Sequence, residues 1–158
     1  MKPHSRIIPR TQLPNLVKRL HRQKKRVVFT NGVFDILHRG HVDYLTQARS
    51  FGDVLIVGMN SDASVRRIKG PTRPIQRQRD RAIILSSLRP VDYVVIFGEP
   101  TPEKLITIIR PDVLVKGADW VLKDIVGAEF VQSYGGKVRR VRLRKGRSST
   151  RLIELLEQ

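Results

Sequence analysis

The sequence has no cysteine in its 158 residues. That excludes disulfides, cysteine-ligated zinc and a thiol nucleophile, and it suits a reducing, cytoplasmic setting. No apolar run approaches the roughly 18 residues that a membrane helix needs, so no membrane partner is expected. The opening stretch, MKPHSRIIPR, is basic but no apolar segment follows it, which reads against a secretory leader. Internal repeats and low-complexity linkers are missing. Aromatic residues make up only 6% of the chain, too few for stacking platforms that hold single strands. No helix-turn-helix, RNA-recognition-motif or zinc-finger pattern occurs, so no specific nucleic-acid partner is expected. Acid is scarce as well: 14 Asp and Glu face 31 Lys and Arg, a net charge of +17. Residues 1–26 hold nine Lys and Arg and no acid, and residues 137–147 hold seven and no acid. Such clusters suit phosphates, nucleotides or nucleic acid, although a solvated basic surface has the same composition.

What is present is a core-forming chain. Its 40% hydrophobic content is that of a folded protein, and its length suits one domain over residues 1–158, with residues 1–25 as a basic lead-in. A short helix is expected over Leu13–Arg22. Strands are expected at Arg26–Asn31, Val54–Asn60, Val91–Phe97, Val113–Lys116 and Lys137–Leu143. Helices are expected at His41–Phe51, with Val42, Leu45 and Ala48 inward, and at Arg77–Leu88, with Ile83, Ile84, Leu85 and Leu88 inward. A further helix runs to Ile109 behind Thr101-Pro102-Glu103, which offers a hydroxyl cap, a first-position proline and an early acid. Ile125–Tyr134 and Ser149–Glu157 complete the helices. Strands apolar on both faces that alternate with helices predict a doubly wound, Rossmann-like α/β fold: a five-stranded parallel sheet with helices on both faces. In that fold the ligand site lies at the carboxyl ends of the strands, where strand order reverses.

The loop after the first strand carries His38-Arg39-Gly40-His41 at the start of a helix. The two histidines are three apart and can face one ligand. The helix N-terminus favours an anion, Gly40 lets a phosphate approach the backbone, and imidazoles can donate to phosphate oxygens. An isolated pair of this kind is ordinarily a loop histidine and a cap histidine. Its position after the first strand, behind Thr30-Asn31-Gly32-Val33-Phe34-Asp35, favours phosphate handling. No cysteine or glutamate supports the pair, and no metal site is expected. Near the end of the chain Ser148-Ser149-Thr150 precedes an apolar helix. Taken alone that is an N-cap.

Together these residues resemble the His-x-Gly-His nucleotidyltransferases, whose second signature is a Ser/Thr turn of this kind. Class I tRNA synthetases share the first motif, but their Lys-Met-Ser-Lys-Ser loop is absent here. The longer match, over about residues 24–157, is to the heptose 1-phosphate adenylyltransferases, through FTNGVFDILHRGHVDYL, NSDASVRRIKG, VKGADW and IVGAEF. The resemblance implies transfer of AMP from ATP, with Mg2+, to a sugar 1-phosphate, together with a separate heptose kinase and a homodimer. It implies that His38 and His41 hold the triphosphate and stabilise the transition state. Thr30 would contact the α-phosphate, beside Asn31, while Gly32 and Phe34 shape the turn. Ser148, Ser149 and Thr150 would hold the β/γ end. Lys116, Gly117, Asp119 and Trp120 would border the base and ribose, although Trp120 could instead cover the core. Lys69, in the loop after the second strand, is either a mobile phosphate clamp or a solvated lysine. Asp35 faces the acceptor or pairs with a nearby backbone N–H. Arg73 and Arg81 pair with the acceptor phosphate or are surface and helix residues. Arg144, ahead of the Ser/Thr turn, is similar to the turn of glycerol-3-phosphate cytidylyltransferases, so CTP with a glycerol phosphate is the alternative to ATP.

Overall fold

Five short runs rich in Val, Ile and Leu set the frame. A computed structural model of the chain describes residues 3–142 and residue 153. The strands are β1 (Val27–Gly32), β2 (Val54–Asn60), β3 (Tyr93–Phe97), β4 (Val113–Gly117) and β5 (Lys137–Val141). They form one parallel sheet in the order β3-β2-β1-β4-β5. The chain winds outward from β1 to β3, then returns to β4 on the other side of β1. Strand order therefore reverses between β1 and β4.

The helices are α1 (Leu13–Arg22), α2 (Arg39–Arg49), α3 (Asp62–Lys69), α4 (Gln78–Ser87), α5 (Glu103–Ile109) and α6 (Ala128–Ser133). Alternation along the strands sorts the core into two layers. Phe29, Ile56 and Leu114 face α1, α5 and α6. Val28, Leu55, Val57 and Val115 face α2 and α4. The expected helices on both faces are present.

Several local expectations need correction. The lead-in packs: Leu13, Leu16, Val17 and Leu20 are buried against α5. Ahead of them the Ile8 N–H donates to the Val94 carbonyl at 2.9 Å. Val42 and Ile84 point outward, each 40% exposed; Tyr44, Leu45 and Ala48 turn inward on α2, and Arg81, Ala82 and Leu85 on α4. Thr101 makes no cap, because α5 starts behind Pro102, which has no side-chain cap bond. The unexpected helix is α3. Its apolar content is low, but the Ser61 hydroxyl accepts the Ser64 N–H at 3.2 Å and Asp62 occupies the first turn, which together start it. Apart from Ile153, which is helical, the expected closing helix lies outside the described residues, as does Leu143 at the end of the last expected strand. Among the described residues no helix is long and apolar enough to cross a membrane.

Candidate active site

Extended backbone at His38 (φ −140°, ψ 170°) ends the first loop and makes His38 the N-cap of α2. The cap uses two imidazoles in place of the usual hydroxyl and carboxylate. Gly40 N–H donates to His38 Nδ1 at 3.1 Å, and His38 N–H donates to His41 Nδ1 at 3.4 Å. With its Nδ1 accepting, the proton of the neutral His41 ring is assigned to Nε2. The rings lie 4.0 Å apart, and Phe34 stands 5.4 Å from His41. Burial, aided by the neighbouring His38, pushes His41 down to about 4. At neutral pH His41 is therefore an uncharged hydrogen-bond donor, not a cation. Phe34 itself sits at φ +48°, and a Cβ at Gly32 would come within 2.9 Å of its ring. Glycine at position 32 is what lets that ring fold back under the loop.

Beneath the loop Thr30 is fully buried, and its hydroxyl meets Tyr44 Oη at 2.8 Å. The hydroxyl of Thr30, a residue expected at the α-phosphate, is shared with Tyr44. Burial holds the Tyr44 phenol up to about 12, so it stays protonated. Tyr44 was not anticipated, yet it stands one turn after His41 on the same helix face, and that spacing was the available signal.

Across the strand reversal, Lys116 Nζ at the end of β4 donates to Asn31 Oδ1 on β1 at 2.6 Å. It also stands 5.5 Å from the Trp120 ring centroid. Desolvation lowers Lys116 to about 8, against a counter-pull from Asp119. Asp119 also acts on Tyr44, so these groups share one neighbourhood. Gly117 is buried at the end of β4, its carbonyl accepting the Trp120 N–H at 3.1 Å, while Asp119 and Trp120 are exposed. The structure thus joins Asn31 and Lys116, and brings Asp119 and Trp120 beside them.

The expected acceptor residues behave differently. Asp35 is 2% exposed and both its oxygens are occupied: Oδ2 accepts Arg73 Nε at 2.8 Å and Ile75 N–H at 2.9 Å, and Oδ1 accepts Gln76 N–H at 2.9 Å. Burial alone would raise its pKa, but the two backbone donors and Arg73 outweigh it and lower it. Arg81 is 1% exposed and gives Nη2 to Asp62 Oδ1 at 2.7 Å, Nη1 to the Val33 carbonyl at 2.6 Å and Nε to the Gln76 carbonyl at 3.0 Å. Asp35 thus pairs with nearby backbone N–H groups, one of the two readings expected for it, and Arg81 is a helix residue held by Asp62 and two carbonyls. Both residues tie the first loop to the segment before α4. Arg73 keeps its terminal guanidinium nitrogens without a partner among the described residues. Lys69 is the exposed last residue of α3, not a loop residue. Arg144, Ser148, Ser149 and Thr150 lie outside the described residues. No cluster of three or more His, Asp or Glu fit for a metal occurs among the described residues.

Comparison with known proteins bears on this geometry. A family model described as cytidylyltransferase-like matches residues 29–155. The chain is similar to the curated "Bifunctional protein HldE" of Paramagnetospirillum magneticum, 53% identical over 95% of this chain and 31% of the relative. It is also similar to that of Geobacter sulfurreducens, 59% identical over 84% of this chain and 27% of the relative. The chain thus spans about a third of the length of the curated relatives it matches. Among solved structures, a lipopolysaccharide core biosynthesis protein from Thermoplasma volcanium superposes with a TM-score of 0.61 at 32% identity, covering 78% of this chain and 99% of that one. A pantoate-beta-alanine ligase from Francisella tularensis shares the fold at 21% identity, with a TM-score of 0.63 over 96% of this chain and 79% of that one.

Proposed function

We propose a function from one premise: the chain belongs to the cytidylyltransferase-like family and is a nucleotidyltransferase. It transfers AMP from MgATP to a sugar 1-phosphate, D-glycero-β-D-manno-heptose 1-phosphate, giving ADP-heptose and pyrophosphate. The observation that carries this reading is the reciprocal imidazole cap of α2, which sets the His38 and His41 rings 4.0 Å apart at the helix N-terminus behind the first strand, with His41 uncharged at neutral pH. Likeness to the HldE proteins supports the ADP-heptose product.

A sugar phosphate oxygen attacks the α-phosphorus in line, its bond to phosphorus forms, and the bond to the bridging oxygen breaks with departure of pyrophosphate. No covalent enzyme intermediate is needed. The protein supplies orientation and neutralisation of the charge that develops on the phosphate oxygens. His38 and His41 donate to phosphate oxygens, His41 from Nε2, assisted by the N-terminal end of α2. Lys116, held by Asn31, supplies positive charge on the other side of the strand reversal. Gly117, Asp119 and Trp120 border the base and ribose. Arg73, fixed at Nε by Asp35, turns its terminal nitrogens to the acceptor phosphate. Mg2+ would come with the triphosphate and offset its charge; among the described residues no cluster of three or more His, Asp or Glu is placed to hold it. The sugar 1-phosphate comes from a separate kinase step, and the enzyme acts in the cytoplasm as a homodimer.

The test is pyrophosphate release with Mg2+, crossing ATP and CTP against the heptose 1-phosphate and glycerol 3-phosphate. The expected result is turnover with ATP and the heptose phosphate alone. Turnover restricted to CTP and glycerol phosphate would overturn the substrates while keeping the reaction. Silence in all four would overturn the reaction as written.

A further inference from the structure

The amino ends of the strands form the opposite pole of the sheet from His38 and His41. There the ends of α1, α5 and α6 surround a cleft of about 390 Å³. That volume falls within the range of roughly 300–1,000 Å³ typical of small-molecule sites. His21, Lys24, Lys25 and Arg26 line one side, and Arg110 and Tyr134 the other. The one carboxylate in the lining is Asp112, whose Oδ2 accepts the Val27 N–H at 2.7 Å.

Arg110 is the built part of this cleft. It caps α5 in the left-handed region at φ +45°, and its guanidinium stands 4.6 Å from the Tyr134 ring centroid and 5.8 Å from that of Phe130. Tyr134 is itself anchored, its hydroxyl donating to the Pro111 carbonyl at 2.9 Å. Aromatic faces therefore hold the guanidinium, and its donor fork has no carboxylate among the described residues. The side chains of Lys24, Lys25 and Arg26 likewise have no ion-pair partner there. Elsewhere the same chain pairs Arg10, Arg39, Arg49, Arg73 and Arg81 with carboxylates. Four cations therefore line this concave surface against one carboxylate, a local excess of positive charge that favours an anion.

We propose that this cleft is a second anion-binding site, for a compact phosphorylated small molecule carrying at least two phosphate groups. The concavity and the fixed Arg110 fork favour such a ligand over an extended chain. Arg110 offers paired donors to one phosphate group, and the lysines offer point charges to the next.

Tripolyphosphate is the probe, titrated into the full chain at about 0.15 M salt, where exposed charges are screened beyond ~8 Å. Backbone amide resonances are expected to move in two groups with separate affinities. One group centres on residues 24–26, 110 and 134, and the other on residues 38–41. The double variant Lys25→Glu, Arg110→Gln should weaken the first response about tenfold and leave the second unchanged, as expected for lost charge-assisted hydrogen bonds. Shifts confined to residues 38–41 in the unaltered chain would overturn the site without recourse to a variant. A lowered melting temperature with unchanged titration would do the same, assigning these cations to the helix carboxyl ends instead. Tighter binding of a random-sequence DNA duplex than of tripolyphosphate, lost in the same variant, would overturn the ligand class.

Discussion

Asp35 and His38 stand three residues apart in one loop, yet the fold uses them in opposite ways. Asp35 is sealed in: three donors from the segment before α4 occupy its oxygens, and Arg81 closes the same joint from α4. His38 and His41 instead turn their Nδ1 atoms onto the backbone cap of α2, where the loop becomes helix. One half of the loop consumes its polar groups to fix the other half in place. A charged residue in a motif is thus no guide by itself to what touches a ligand. The number of its bonding positions that the protein already fills decides the matter.

The comparison can be broken from either side, and the joint should give the larger effect. Replacing Arg81 by Met leaves Asp62 and the Val33 and Gln76 carbonyls without their donor, and breaking a buried pair of this kind costs about 3–5 kcal/mol. Urea denaturation reads that loss, while the acceptor KM of the protein that remains folded should stay put. A changed KM with unchanged stability would return Arg81 to the acceptor site. His41→Ala should do the reverse: kcat falls about 10²–10³-fold, as for loss of one transition-state donor. Its stability changes by only about 1 kcal/mol, the value of a helix cap. Near-normal turnover in that variant would sink the assigned role.

Acid sharpens the contrast next. His41 is held uncharged in the fold, down to about 4, whereas the unfolded chain takes up its proton near 6.5. The unfolded state therefore binds more protons between these values, and stability falls as pH drops from about 6.5 to about 4. Asp35, whose folded pKa is lowered, contributes its loss only below its unfolded value of 3.8. Melting temperature followed down the pH scale should show the imidazole step first, and His41→Ala should flatten it. The smallest effect concerns Lys116, depressed to about 8 by desolvation. A bound phosphate favours its charged form, so nucleotide binding near pH 8.5 should take up a fraction of a proton. Calorimetry in buffers of different ionisation enthalpy measures that uptake, and Lys116→Met should abolish it.

The frame was legible because its strands advertise themselves. Val54–Asn60 is buried at all seven positions, and an unbroken apolar run has one reading at that length. The two faces of the sheet followed from alternation. Helix α3 was not legible from periodicity, since it buries only Ser64 and Val65 and rests on its cap. Orientation was lost at Val42 and Ile84 because neighbouring apolar residues competed for the same helix face. The histidine motif, with Asn31 and Lys116, was found by type and place along the chain. Internal roles for Asp35 and Arg81 were among their expected readings, but the partners were not, because they lie about 40 and 48 residues away and no local pattern announces them.

Trp120 is the only tryptophan in the chain, and it stands 46% exposed beside the Lys116 ammonium. Indole emission from this protein therefore has a single origin, at the crevice where the strand order turns. Occupancy of that crevice should register as a change in intrinsic fluorescence, with no label attached. The opposite pole, where Tyr134 lies under Arg110, would remain dark in the same spectrum. The molecule carries its own optical reporter for one end of the sheet and not for the other.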